Sequence, residues 1–325
     1  MIPSKLKKGD EVRVISPASS LKVIVAEQRE LAIERLNKMG LNVTFSKNSE
    51  EMDDFMSSSI RSRVDDIHEA FSDDNVKGIL TTLGGYNSNQ ILRYMDYSLI
   101  KNNPKVLCGF SDITALSNAI YSKTNLVGYS GPHFSSFGML KGIEYTMEHF
   151  ENCLMQDEPY ELTPSSYWSD DIWFMDQQNR KFRESRGFKT INPGEAEGVA
   201  IGGNLCTFNL LHGTEFMPDL TDKILFVEDD YETNPQTFDR DLQSIIHQPN
   251  FDKVRGLIIG RFERRSRFAA DLLRKIITSK EELNNIPVLT DVDISHTTPR
   301  ATIPIGGRMR MSASEEKAKI EVLEH

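Results

Sequence analysis

Cysteine is scarce in this chain of 325 residues: there are three, Cys108, Cys153 and Cys206, far apart and in unlike contexts. They form no CxxC and no even set, which argues against a disulfide scaffold and makes a reducing cytoplasm the expected compartment. Long apolar runs are missing too. No stretch approaches the roughly 18 apolar residues of a membrane span. The opening MIPSKLKKGDEVRVISP carries charge without an apolar core after it, so neither a signal peptide nor membrane contact is expected. Positive charge is in deficit, with 38 Lys and Arg against 48 Asp and Glu for a net charge of −10. That speaks against a nucleic-acid partner, whose phosphates need a basic face. The chain has no Walker loop, no GxGxxG and no pair of histidines at metal-ligand spacing, so neither a cofactor nor a metal is expected. Internal repeats and low-complexity runs are absent as well.

What is present is the composition of a globular protein with a real core, 38% hydrophobic and 26% charged. Apolar runs at Glu11 to Ile15, Leu41 to Phe45, Gly78 to Leu83, Val106 to Phe110 and Asn125 to Tyr129 read as strands. Amphipathic stretches at Val25 to Met39, Arg61 to Phe71, Asn89 to Met95 and after Ser111 read as helices. Such alternation predicts a parallel α/β sheet. The pattern changes near residue 150. Asp157 to Asn192 is polar, holds both tryptophans and reads as a long linker or loop. From about Gly187 a second set begins, with strands at Lys223 to Val227, Leu257 to Gly260 and Val288 to Asp291, and helices at Phe238 to Ile246 and Asp271 to Thr278. The expected division is therefore 1–150, 151–186 and 187–325.

Lys105 to Tyr121, KVLCGFSDITALSNAIY, is the stretch around which the rest is organised. A buried strand turns into a helix through Ser111, which sets a hydroxyl above a sheet and beside free helix N–H groups. A nucleophile suits that place, and so does a plain helix cap at Ser111 or Asp112. Ligands of parallel sheets gather at strand carboxyl ends, where Gly84-Gly85 also falls. Those glycines make a simple turn, or they let N–H groups approach an oxyanion together with the N–H of Asp112. Among seven histidines, His296 stands on a loop after a strand, and His133 is the reserve. His68, His149 and His247 lie in helical patterns, and His212 follows two leucines. Glu228 ends an apolar strand: it belongs to a solvated acidic loop, or it holds one imidazole nitrogen and fixes the tautomer. The order serine, acid, histidine is that of α/β-hydrolases, but Gly109-Phe110-Ser111-Asp112-Ile113 lacks the second glycine of their GxSxG elbow.

Several stretches in order resemble the serine peptidase family of LD-carboxypeptidases and microcin C7 self-immunity proteins. They are Leu83-Gly84-Gly85-Tyr86-Asn87-Ser88-Asn89, Cys108 to Thr114, Gly202-Gly203-Asn204-Leu205, Phe226-Val227-Glu228-Asp229, and Ser295-His296-Thr297 with Pro304-Ile305-Gly306. Lys8-Gly9-Asp10 and Ser16-Pro17 fit the family's start. The resemblance implies an N-terminal parallel-sheet α/β domain and a smaller strand-rich C-terminal domain, with the active site between them. It implies a Ser111 nucleophile, a His296 base and a Glu228 orienting acid, with oxyanion N–H groups from Gly85 and Asp112. Metal and cofactor are not needed, and homodimers are common in the family. Substrate contacts are expected at Trp173, rather than Trp168, and at Asn204 and Glu232. Two departures stand out: Ser295 replaces a glycine before the histidine, and Glu232 lies where microcin-cleaving members carry a phosphate-binding lysine. The expected activity is a serine carboxypeptidase or amidase on small peptides or peptidyl nucleotides. A murein tetrapeptide LD-carboxypeptidase is the runner-up, and a catalytically silent peptide-binding protein is the rival from another class.

Overall fold

The computed structural model describes residues 1–269, 271–314 and 316–325. Five short strands open the chain: β1 (Glu11–Ile15), β2 (Asn42–Phe45), β3 (Val76–Thr81), β4 (Val106–Gly109) and β5 (Gly128–Ser130). Between them run helices α1 (Ala26–Lys38), α2 (Ile60–Ser72), α3 (Tyr97–Asn102) and α4 (Ile113–Thr124). β3, β4 and β5 are buried along almost their whole length, as expected of parallel strands covered by helices, whereas the edge strand β2 is half-exposed. A stretch expected as helix, Asn89 to Met95, is instead a 3₁₀ segment over Ser88–Tyr94.

The second half contributes β6 (Tyr160–Leu162), the small ribbon β7 (Tyr167–Trp168) with β8 (Arg183–Glu184), β9 (Lys189–Asn192), β10 (Gly194–Asn204), β11 (Lys223–Glu228), β12 (Gly256–Gly260) and β13 (Val288–Val292). Last come β14 (Ile303–Ile305), β15 (Arg308–Ala313) and β16 (Ala318–Glu324). The first sheet has the order β14-β5-β4-β3-β1-β2 and the second β6-β16-β15-β10-β11-β12-β13-β9. β10 to β13 run parallel, and the outer strands of the second sheet are antiparallel.

Two features depart from the sequence reading. Asp157 to Asn192 is not merely a loop: β6 and β9 close the two edges of the second sheet. Edge strands are half-solvated, so their polar sequences carry no apolar run to betray them. And β14, far along the chain, returns to the first sheet and pairs antiparallel with β5. One apolar cluster joins Leu107, Leu116 and Ile120 to Ile201, Phe208 and Leu225. Burial thus runs continuously from one sheet to the other. Helix α4 is buried along most of its length at this junction.

Candidate active site

Strand β4 delivers the chain to Ser111 at φ 60°, a left-handed conformation that costs a non-glycine residue about 1–2 kcal/mol. Surroundings that hold such a residue mark functional sites. Neither Ser111 nor Asp112 caps α4 through its side chain. Instead the Ser111 Oγ lies 3.0 Å from His296 Nε2, and His296 Nδ1 lies 2.7 Å from Glu228 Oε2. A carboxylate can only accept, so the Nδ1 proton belongs to that bond and Nε2 is left to accept from the hydroxyl. His296 is the bridge.

Each member is held by its own frame. Glu228 ends β11, is 1% exposed, and sits in register with Asn204 of β10. The loop carrying His296 is pinned by buried Asp293, which accepts from Arg261 at 3.0 Å and from the Ser165 N–H at 2.8 Å. It is pinned again by paired backbone bonds between Ser169 and Thr298, of 2.7 and 2.8 Å. The supposed linker therefore supports the histidine. Burial disfavours a charged His296, but the Glu228 charge and hydrogen bond outweigh it and raise its pKa above the ordinary histidine value.

Gly84 packs so closely on the elbow that a Cβ there would stand 2.9 Å from both Cβ and Oγ of Ser111. Gly85 packs against Ala18 and Ser19. Among the described residues, neither the Gly85 nor the Asp112 N–H donates to a protein acceptor. The Asp112 carboxylate, buried and raised in pKa by that burial, accepts from the Ser88 N–H at 2.8 Å. It ties the glycine loop to the elbow. The Arg63 guanidinium fastens the other side, donating to Asn87 O and Oδ1, Gln90 Oε1 and Pro17 O.

The other expected contact residues fall unevenly. Trp173 lines a cavity of about 30 Å³ with His296, whereas Trp168 packs under the Arg261 guanidinium away from it. Glu232 is exposed and does not line that cavity; Tyr86 OH donates to it at 3.2 Å. Asn204 is 5% exposed: its Oδ1 accepts from Thr207 N–H and Oγ1, and its Nδ2 donates to Asp229. His133 lies behind the site, stacked on Phe110 and bonded to Thr81 Oγ1 at 2.7 Å. Burial, with Arg300 and His296 nearby, pushes its pKa well down, so it stays neutral.

Three neighbours were not singled out from the sequence. Burial pushes Asp229 up to about 7, with Glu228 adding to it, and burial pushes Glu263 up to about 7. Arg300 lies with its guanidinium carbon 3.3 Å over the Phe110 ring. Asp229 lies in a stretch quoted for the family resemblance but without a role of its own, and nothing local marks Glu263 or Arg300, because burial and neighbours give them their character. Among the described residues no group of three or more His, Cys, Asp or Glu could hold a metal ion. No helix among them is long and apolar enough to cross a membrane.

A hydroxyl on a strained strand–helix turn, an imidazole that can take its proton and a buried carboxylate behind that imidazole define the serine hydrolase class. The family model for the LD-carboxypeptidase N-terminal domain matches residues 12–131, and that for the C-terminal domain matches residues 197–311. The chain belongs to the LD-carboxypeptidase family. It is similar to the Bacillus subtilis protein YocD, whose name carries the word carboxypeptidase, at 52% identity over 325 residues covering all of both chains. It is similar to the Escherichia coli microcin C7 self-immunity protein MccF at 30% identity over 336 residues, covering 98% of this chain and 95% of that protein. The crystal structure of an MccF-like protein from Bacillus anthracis superposes with a TM-score of 0.99 at 55% identity, covering all of both chains.

Proposed function

We propose that this protein is a serine carboxypeptidase or amidase that cleaves an amide bond in small peptide conjugates, with Ser111, His296 and Glu228 as its triad. One observation carries the reading: His296 reaches Ser111 and Glu228 at once, with its two nitrogens bonded to one each. Ser111 Oγ attacks the amide carbonyl while His296 Nε2 takes its proton. The N–H groups of Gly85 and Asp112 stabilise the oxyanion. His296 then gives the proton to the leaving amine, and water hydrolyses the acyl-enzyme with the same base. Glu228 holds the ring and supports its positive charge.

For the substrate we favour a peptidyl-aminoacyl nucleotide. Solved structures of MccF carry glutamyl sulfamoyl guanosine and aspartyl sulfamoyl adenosine, and here the half-buried Trp173, an aromatic ring of the kind that stacks on a base, lines the same cavity as His296. A second reading, a murein tetrapeptide LD-carboxypeptidase, draws on Glu232. A carboxylate where a phosphate-binding lysine is expected would repel a phosphate, and the Tyr86 hydroxyl, its partner, is no cation. Action in the cytoplasm fits three free cysteines, of which Cys206 is exposed. A homodimer is part of the proposal and is read by sedimentation.

The deciding experiment offers a murein tetrapeptide ending in D-alanine and a peptidyl-aspartyl sulfamoyl adenosine, with products followed by mass spectrometry and Ser111→Ala as the blank. Release of the nucleoside end supports the favoured reading, and release of D-alanine the second. If Ser111→Ala binds both and the wild type cleaves neither, the protein is a silent binding module and the proposal fails.

A further inference from the structure

Two N–H groups stabilise an oxyanion well only when their spacing is fixed before the reaction starts. The Asp112 N–H is placed by the elbow and by α4, which begins at the next residue. The Gly85 N–H has no such frame. Residues 82–87 lie between the end of β3 and the 3₁₀ segment and belong to neither helix nor strand. The position of Gly85 is therefore set by what its loop is bonded to.

Ser88 makes one attachment, at two points. Its N–H donates to Asp112 Oδ2 at 2.8 Å and its hydroxyl to Asp112 O at 2.6 Å, and both residues are buried. The end of the glycine loop is thus bonded twice to the residue that carries the other free N–H. Arg63, also buried, makes a second attachment. Its Nη1 donates to Pro17 O at 3.2 Å and to Asn87 O and Oδ1 at 3.0 Å each, and its Nη2 donates to Gln90 Oε1 at 2.8 Å. Its Nε has no partner among the described residues. Pro17 precedes Ala18 and Ser19, which pack on Gly85, and the Ser19 N–H donates to Gly84 O at 3.1 Å. One guanidinium therefore joins the bed under the glycines to the residues that follow them. The Ser57 hydroxyl spans the same two places, donating to Ala18 O at 2.6 Å with Asn87 Oδ1 at 3.4 Å.

We infer that Ser88 and Arg63 are positioning residues for the oxyanion hole: they hold the Gly85 N–H at a fixed distance from the Asp112 N–H without touching the substrate. This rests on the amidase reading above and deepens it. Ser88 sets the spacing across the hole, and Arg63 keeps the glycine loop on its bed. Neither is bonded to Ser111, His296 or Glu228, so the proton path does not depend on them.

The test labels Ser111 with a fluorophosphonate and with its P=S counterpart, in which sulfur, a weak acceptor, takes the place of the oxygen that enters the hole. The rate ratio, oxygen over sulfur, is divided by the same ratio for hydroxide in water. The wild type is expected to give about a hundredfold, the scale of one preorganised donor. Ser88→Ala should lower the oxygen rate by about tenfold to a hundredfold and leave the sulfur rate nearly unchanged. The acid limb of labelling should stay in place, because His296 keeps Glu228. Arg63→Lys, which keeps the charge and loses the fork, should shift the ratio the same way, and it is the variant to read if Ser88→Ala does not melt cooperatively. Asp112→Asn keeps an acceptor for the Ser88 N–H and the carbonyl for its hydroxyl, and should retain most of the ratio. Equal loss with both probes marks a merely structural role and overturns the inference. So does an unchanged ratio in both variants, or a wild-type ratio near one. If the fluorophosphonate leaves wild-type Ser111 unlabelled, the amidase reading fails, and the inference falls with it.

Discussion

Replacing Gly84 with alanine is the sharpest perturbation of the site, because one methyl group meets the proposed nucleophile and little else. The added Cβ would stand 2.9 Å from both Cβ and Oγ of Ser111, and its next neighbour is the Asp112 nitrogen at 3.6 Å. Carbon atoms rest at about 3.5–4.0 Å, so the serine side chain or the loop must give by roughly 0.6 Å or more. Gly84 is not among the glycines of positive φ, so the cost arises from contact and not from backbone strain. Ser111 has little freedom to yield, since its own φ of 60° is already held by the elbow. The 3.0 Å bond from Oγ to His296 is what gives way. Overpacking of this kind costs about 1–3 kcal/mol of stability, and a displacement approaching 1 Å at a reacting atom costs on the order of a hundredfold in rate. Thermal melting with the rate of Ser111 labelling by a fluorophosphonate reads both without knowledge of the substrate. Labelling about a hundredfold slower in a folded protein is expected. Wild-type labelling in Gly84→Ala would show that the glycine loop does not abut the nucleophile, and the geometry argued above would fall.

The raised pKa of His296 sets the direction of pH dependence: the base form is lost as pH falls through that value, so the acid limb of kcat/KM should lie above 6.5. Glu228→Gln removes the attraction that outweighs burial, so the limb should move below 6.5 while the rate drops by about a hundredfold or more; an unmoved limb would assign the titration elsewhere. For Asp229 the sign is opposite to that of an ion-paired acid. Burial pushes its carboxyl up to about 7, well above the ordinary aspartate range, so the folded state holds a proton that the unfolded chain releases. Stability should therefore fall as pH rises from about 4 to about 7, by up to about 4 kcal/mol. Asp229→Asn keeps an acceptor for Asn204 and should flatten that slope in urea melts; an unchanged slope would contradict the burial argument. Asn118→Leu leaves the buried Gly202 N–H and C=O without the partners they have at 3.2 and 2.8 Å. A loss of about 2–4 kcal/mol is expected, and an unchanged melting temperature would refute it.

Much of this site can be read from the sequence because it rests on local pattern. The apolar run Val106 to Cys108, the turn at Gly109 and the helical spacing from Ile113 place Ser111 at a strand–helix corner without reference to anything distant. Glu228 is legible only as a carboxylate closing an apolar strand, which a solvated acidic loop explains as well; a role beside the histidine is implied by the family resemblance alone. What is not legible is whatever derives its meaning from a remote neighbour. Asn204 reads as a site residue in its glycine-rich motif, yet its side chain is taken up by Thr207 and Asp229. β6 and β9 are hidden because half-solvated edges need no apolar alternation. Arg300 looks like one more charge after Pro299, and only burial against Phe110 and His296 separates it from a surface arginine.

Ser111 follows a strand of the first sheet and Glu228 ends a strand of the second, which raises the question of how the 3.0 Å contact of Ser111 with His296 survives between them. The answer lies in α4. The helix that begins just after Ser111 is bonded directly to β10: Thr114 Oγ1 accepts from the Asn204 N–H at 3.0 Å, and the Asn118 amide both accepts from and donates to Gly202. Gly203 must lack a side chain at this place, because a Cβ there would collide with Thr114 Oγ1. β10 is in turn paired residue by residue with β11, where Asn204 faces Glu228. The carboxylate is thus one strand away from the helix that presents Ser111. The histidine loop is tied back separately, through Asp293 and Ser169, to the segment that also brings Trp173 to the cavity. Buried hydrogen bonds of this kind are strongly directional and cannot be left unmade cheaply, so the two sheets cannot slide past each other without breaking several at once. The seam between the two halves is held by several buried bonds at once, which suits a constellation that tolerates errors of only about half an ångström.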